Sequence, residues 1–123
     1  DYAAKWATKQ GRYILPDQEP EKGYFFRSDH FNFAKIGIPA LYAHGSYEHL
    51  EKGVAYAKEK SDLYRNTMYH KPSDEYDADT FELGGILQDA ELYRQVATEL
   101  AQNADWPEWK TGSEFKAIRD AGK

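Results

Sequence analysis

IPALYAHG, residues 38–45, is the stretch on which the reading of the fold turns. It is a short apolar run closed by Gly45 and preceded by Gly37, too brief for a helix and suited to a buried strand. Upstream, RYIL at 12–15 has the aromatic and β-branched content of a second short strand. Helical patterns surround both. Tyr2, Trp6 and Lys9 recur at near-helical spacing, with Gly11 as the stop. YFFRSDHFNFAKIG, 24–37, begins extended and turns helical behind Ser28 or Asp29 as cap. Phe31, Phe33, Ala34 and Ile36 are expected to face inward there, and Gly37 to end the helix. The clearest pattern is 85–104, where Ile86, Ala90, Tyr93, Val96, Ala97, Leu100 and Ala104 make one helical stripe. A short amphipathic helix is expected over 113–121. Residues 46–84 are charged and weakly periodic, and read as a long connection with about one helical turn. The order helix, strand, helix, strand, helix predicts an α/β fold with a partial sheet and flanking helices.

The totals narrow the function classes. A chain of 123 residues suffices for one domain with a core, and 41% hydrophobic with 15% aromatic content excludes a disordered tail. A net charge of -5 argues against nucleic acid, which is held by clustered Lys and Arg. No apolar run approaches the ~20 residues of a membrane helix. With no cysteine there is no disulfide, thiolate nucleophile or Cys-ligated zinc, which by itself leaves the compartment open. The chain opens at Asp1, without Met, in what already reads as a helix, so a piece of a longer protein is expected.

Among residues that carry chemistry, His44 and His49 lie five apart around a Gly-Ser-Tyr-Glu turn. That spacing does not share a helix face, and both read as ordinary surface or satisfied core histidines. DEYDAD, 74–79, lacks the glycine and acid rhythm of a calcium loop. It reads as a solvated turn that adds negative charge before the last long helix. No nucleophile elbow, phosphate loop or dinucleotide fingerprint occurs. Ser28-Asp29-His30 holds triad residue types, but adjacent side chains seldom converge as a triad. NTMYHKPSDEYD, 66–77, is the better lead. A neutral His70 imidazole is a standard zinc ligand, and the adjoining Tyr69 phenol can donate to an oxyanion. One histidine does not make a site, and a polar turn remains the plain alternative.

RSDHFNFAKIGIPALY, 27–42, followed downstream by MYHKPSDEYD, 68–77, resembles the C-terminal part of the M28 family of zinc peptidases. The likeness is good from Gly23 to Ala121 and weaker before it. It implies the C-terminal portion of a phosphorylase/hydrolase-like fold, with a mainly parallel sheet. It further implies two zinc ions held by two histidines, two aspartates and a glutamate, with a second glutamate as general base. Residue by residue, His70 matches the last metal-ligand histidine and Tyr69 the tyrosine that supports the tetrahedral intermediate. Arg27, Asp29 and His30 match the substrate-pocket segment, Arg27 as a partner for a carboxylate or carbonyl, Asp29 and His30 equally as loop-holding residues. The other ligands lie upstream in the family and have no counterpart here.

The expectation is therefore a fragment, 1–123, of a single peptidase domain with a tail at 105–123. The parent would be a secreted or periplasmic aminopeptidase acting on a peptide substrate. The chain alone would be inactive, without nucleic-acid or membrane partners, and prone to self-association. A carboxypeptidase, a glutaminyl cyclase or a metal-free interaction domain are the alternatives. The cyclases carry tryptophan where Tyr69 stands, which favours a peptidase.

Overall fold

The computed structural model describes residues 1–43 and 47–122. His44, and with it the expected close of the 38–45 run at Gly45, lies outside the described residues. Among the described residues five α-helices follow in order: α1 (Tyr2–Lys9), α2 (His30–Ala34), α3 (Gly53–Thr67), α4 (Gly84–Gln102) and α5 (Lys116–Ala121). Two 3-10 turns, Pro20–Lys22 and Tyr24–Arg27, precede α2. The α/β expectation is overturned, because the described residues hold no strand and no sheet, only one isolated bridge between His49 and Gly53. Residues 12–15 and 38–43 are irregular instead. The physical reason is that a strand exists only as a ladder. Its N–H and C=O groups need a neighbouring strand, and neither run finds one.

The chain divides into two units, Asp1–Ala43 with Gly85–Lys123, and His44–Gly84. In the first, α1 and α4 run antiparallel, as their cross-links show. Lys5 Nζ lies 2.5 Å from Glu99 Oε1, and Trp6 Nε1 donates to Glu99 Oε2 at 2.6 Å. Further along, Gln10 Nε2 donates to the Gln88 carbonyl at 3.1 Å, and Arg12 pairs with Asp89 at 2.5 Å. The buried residues repeat at i, i+4 on each helix, Ala3 and Ala7 on α1 and Leu92 and Val96 on α4. The stripe expected on α4 is thus rotated. Val96 is buried and Leu100 half-buried, but Ala90 and Ala97 are exposed, Ile86 is 53% exposed, and the unforeseen Leu92 is only 3% exposed.

The rest of this unit is an aromatic cluster. Phe25 sits edge-on to Phe26, His30, Phe31 and Tyr42 at centroid distances of 5.5, 4.5, 6.4 and 6.2 Å. Ala34 is fully buried and Phe31 half-buried, whereas Phe33 and Ile36, expected inward, are exposed. α2 is only five residues long, so one short turn cannot bury all four.

In the second unit, α3 replaces the expected loop. Only Ala57 is buried on it, so hydrophobic periodicity carried little signal. The helix rests on intrinsic preference, AYAKEK being rich in Ala, Lys and Glu, and on i, i+4 contacts. Lys58 pairs with Asp62, and the Lys60 ammonium lies 5.4 Å from the Tyr56 ring centre.

Candidate functional site

Tyr69 and His70 lie just past the end of α3. Met68 caps the helix, its N–H reaching the Tyr64 carbonyl, and the Tyr69 N–H reaches the same oxygen at 3.0 Å. A β-turn then closes from the Lys71 N–H to the Met68 carbonyl at 2.9 Å, with His70 at its third position and φ 59°. His70 is the non-glycine residue with a positive φ among the described residues. Left-handed backbone disfavours most L-residues, although histidine is among those enriched there. The Tyr69 and His70 rings stack, 3.9 Å apart and 25° from parallel. Both side chains are exposed, and among the described residues neither the Tyr69 hydroxyl nor the His70 ring makes a hydrogen bond. The loop beyond is tied down: Lys71 Nζ bonds the Asn66 carbonyl, Ser73 Oγ donates to the Thr67 carbonyl at 3.0 Å, and the Tyr64 hydroxyl donates to Asp74 at 2.8 Å. The Asp74 carboxylate raises the Tyr64 phenol above its usual pKa, chiefly through that bond.

The acid run does not sit in the first turn of α4, so the expected dipole role is not met. Asp77 instead closes its own turn, accepting the Asp79 N–H and the Thr80 hydroxyl at 2.9 Å each. These two bonds hold its carboxyl below the ordinary range.

His49 serves structure. Its Nδ1 accepts the N–H groups of Glu51 and Lys52 at 3.2 Å, satisfying donors that open the approach to α3. The clue was a histidine four residues ahead of Gly53, where α3 begins, in a helix whose pattern was too weak to announce itself.

Arg27, Asp29 and His30 belong to the first unit, which folds them differently. Arg27 ends a 3-10 turn and Asp29 precedes α2. Both are exposed, with no ion pair among the described residues. Asp29 makes no side-chain cap, so its carboxylate is available. His30 turns inward, stacking on Tyr42 at 4.6 Å, and its Nε2 is buried without a hydrogen-bond partner. Sequence missed that the C-terminal residues Trp109 and Phe115 share this neighbourhood. Phe115 lies 6.0 Å from Phe25 and 6.1 Å from Phe31, ring centre to ring centre.

The chain matches the sequence model of peptidase family M28 over residues 1–93, and it belongs to that family. The match takes in all five candidate residues, starts at residue 1 rather than at Gly23, and stops short of the C-terminal segment. No curated protein and no solved structure matches the chain. The family consists of peptidase-type hydrolases and is generally zinc-dependent. His70 fits one position of such a shell, being an accessible imidazole with both nitrogens uncommitted. The described residues do not fit a whole shell, since no group of three or more His, Asp or Glu is gathered in them.

Proposed function

We propose that this chain is part of an M28 aminopeptidase, with His70 as one zinc ligand and Tyr69 as the oxyanion donor. The observation that carries the reading is the family match over 1–93, which contains Tyr69-His70 and the Arg27–His30 segment together. Zinc, held in part by His70, would supply an acidified water as nucleophile for peptide hydrolysis. The work of the chain itself is positional. The Met68–Lys71 turn points an uncommitted imidazole out of the end of α3, and stacking against Tyr69 limits its rotation. The Tyr69 hydroxyl, lacking an internal partner, can donate to oxygen as negative charge grows there, a bond stronger in the transition state than in the ground state. On the substrate side, the Arg27 guanidinium and the Asp29 carboxylate have no internal partners to compete with a peptide. In this reading the enzyme acts outside the cytoplasm on peptide N-termini. Among the described residues no helix is long and apolar enough to cross a membrane. The 123-residue chain by itself is expected to be silent, because one imidazole cannot hold two ions.

Tyr69→Phe in the active peptidase tests this. Loss of one oxyanion donor typically lowers kcat by ~10²–10³, with KM and zinc content little changed. His70→Ala should lower the zinc content measured by metal analysis. A Tyr69→Phe variant within about threefold of wild type in kcat would remove Tyr69 from the chemistry. Unchanged zinc in His70→Ala would remove His70 from the metal.

A further inference from the structure

The C-terminal residues beyond the family match are built into the segment that carries Arg27, Asp29 and His30. Trp109 donates its indole N–H to the Gly37 carbonyl at 2.9 Å, at the end of the turn that follows α2. Its ring lies 5.0 Å from that of Phe115, which is 8% exposed. Phe115 in turn packs on Phe25 and Phe31, on either side of the Arg27–His30 stretch. α5 then presses its backbone against Gly37. A Cβ on Gly37 would stand 2.7 Å from the Arg119 nitrogen and 3.1 Å from the Ile118 carbonyl carbon. Gly37 also has φ 83°, so two independent constraints reserve the position for glycine. The same cluster fixes His30. Phe25, held by Phe115, meets the His30 ring edge-on at 4.5 Å, while Tyr42 stacks on its face. Arg27 and Asp29 make no ion pair among the described residues, so their placement depends on backbone packing.

We propose that Trp109 and Phe115 are positioning residues that hold Arg27–His30 in the geometry that receives the substrate. The substrate half of this rests on the reading of Arg27, Asp29 and His30 given above; the bracing half does not. Rings locked in a cluster have defined rotamers, and such support is what keeps exposed polar groups within reach of a bound molecule.

The test has two arms. In the chain itself, the His30 ring protons are followed by NMR in Phe115→Leu, Phe115→Ala and Trp109→Phe, with the Leu92 and Val96 methyl signals as the control for folding. The expected result is a shift or broadening of His30, largest in Phe115→Ala and smallest in Trp109→Phe, which keeps an aromatic ring but loses the bond to Gly37 and part of the indole's bulk. Unmoved His30 signals in all three overturn the brace. If Phe115→Ala loses the Leu92 and Val96 signals, the comparison is decided on Phe115→Leu and Trp109→Phe. In the active peptidase, Phe115→Leu is expected to raise KM for a peptide by about tenfold with kcat within about threefold, a pattern a general loss of stability would not give. Arg27→Ala is measured beside it. If Arg27→Ala raises KM and Phe115→Leu does not, the positioning inference alone is overturned. If neither does, the substrate reading of the segment falls, and the inference with it.

Discussion

At His70 the backbone and the side chain make opposite demands. The turn after α3 needs φ 59°, a conformation glycine adopts freely, while the proposed chemistry needs an imidazole. A non-glycine residue in left-handed backbone carries a penalty of roughly 1–2 kcal/mol. His70→Gly and His70→Ala both delete the ring, but only glycine relieves the backbone. We expect the glycine variant to be about 1 kcal/mol more stable than the alanine variant in urea unfolding. The Lys71 amide, which closes the turn, should also exchange more slowly in the glycine variant. The reverse order would mean that the turn does not hold His70 in the left-handed region. Sequence picked out Tyr69-His70 because residue type and neighbours are local information. It did not place His30, whose surroundings come from Phe25 on one side and Tyr42 on the other, nor link it to Phe115 far along the chain. Those contacts exist only after the segments have met.

Among the elements, α4 shows which part of a pattern survives folding. Helical periodicity located the helix almost to the residue, yet the buried face is centred on Leu92 and Val96, while the links to the α1 segment run from Gln88, Asp89 and Glu99. Leu92→Ala should cost about 2–5 kcal/mol, and Ile86→Ala less than about 0.5, in chemical denaturation. Equal losses would restore the stripe as first read. Glu99 adds a pH dependence to the same pair. The Lys5 ammonium, then the Trp6 indole N–H and the charge of Lys9, hold its carboxyl below the ordinary range. A depressed carboxyl contributes stability that is full above its unfolded pKa and is lost as pH falls through the folded value. Glu99 is near the surface, so the effect is modest. The urea midpoint of wild type should exceed that of Glu99→Gln at pH 7, and the gap should close on acidification below about pH 4.3. A gap independent of pH would show that the ion pair is not formed. The strands failed for the converse reason to the success of α4. A helix closes its hydrogen bonds within itself, so periodicity suffices to find it, whereas 12–15 and 38–43 are apolar runs without a ladder partner. α3 was missed because propensity and i, i+4 pairs, rather than an apolar stripe, make it.

For the molecule as a whole, the question is what becomes of apolar surface that folding leaves outside. The buried apolar residues among those described are Ala3, Ala7, Ala34, Ala57, Leu92, Val96 and Phe115, four of them alanines. Large side chains remain in water in the first unit: Ile14, Leu15, Phe33, Ile36, Ile38 and Leu41, with Ile36 at 66%. They fall in the two irregular stretches, in α2 and in the turn that follows it. Scattered exposed apolar residues are ordinary, but runs of them are the kind of surface that associates. A net charge of -5 over 123 residues opposes that only weakly. We propose that the chain associates with a second copy through this apolar surface, driven by burial rather than by ion pairs. Association should then strengthen with added salt, which screens the like charges of the two copies while leaving apolar burial intact. The measurement is light scattering across a concentration series at low and high salt, on wild type and on a variant carrying Ile36→Lys and Ile38→Lys. Wild type should move from monomer towards dimer as concentration rises, more readily at high salt, and the double variant should remain monomeric while keeping the Leu92 and Val96 signals of the folded unit. A wild-type chain that stays monomeric throughout would show that this surface does not bind its own copy.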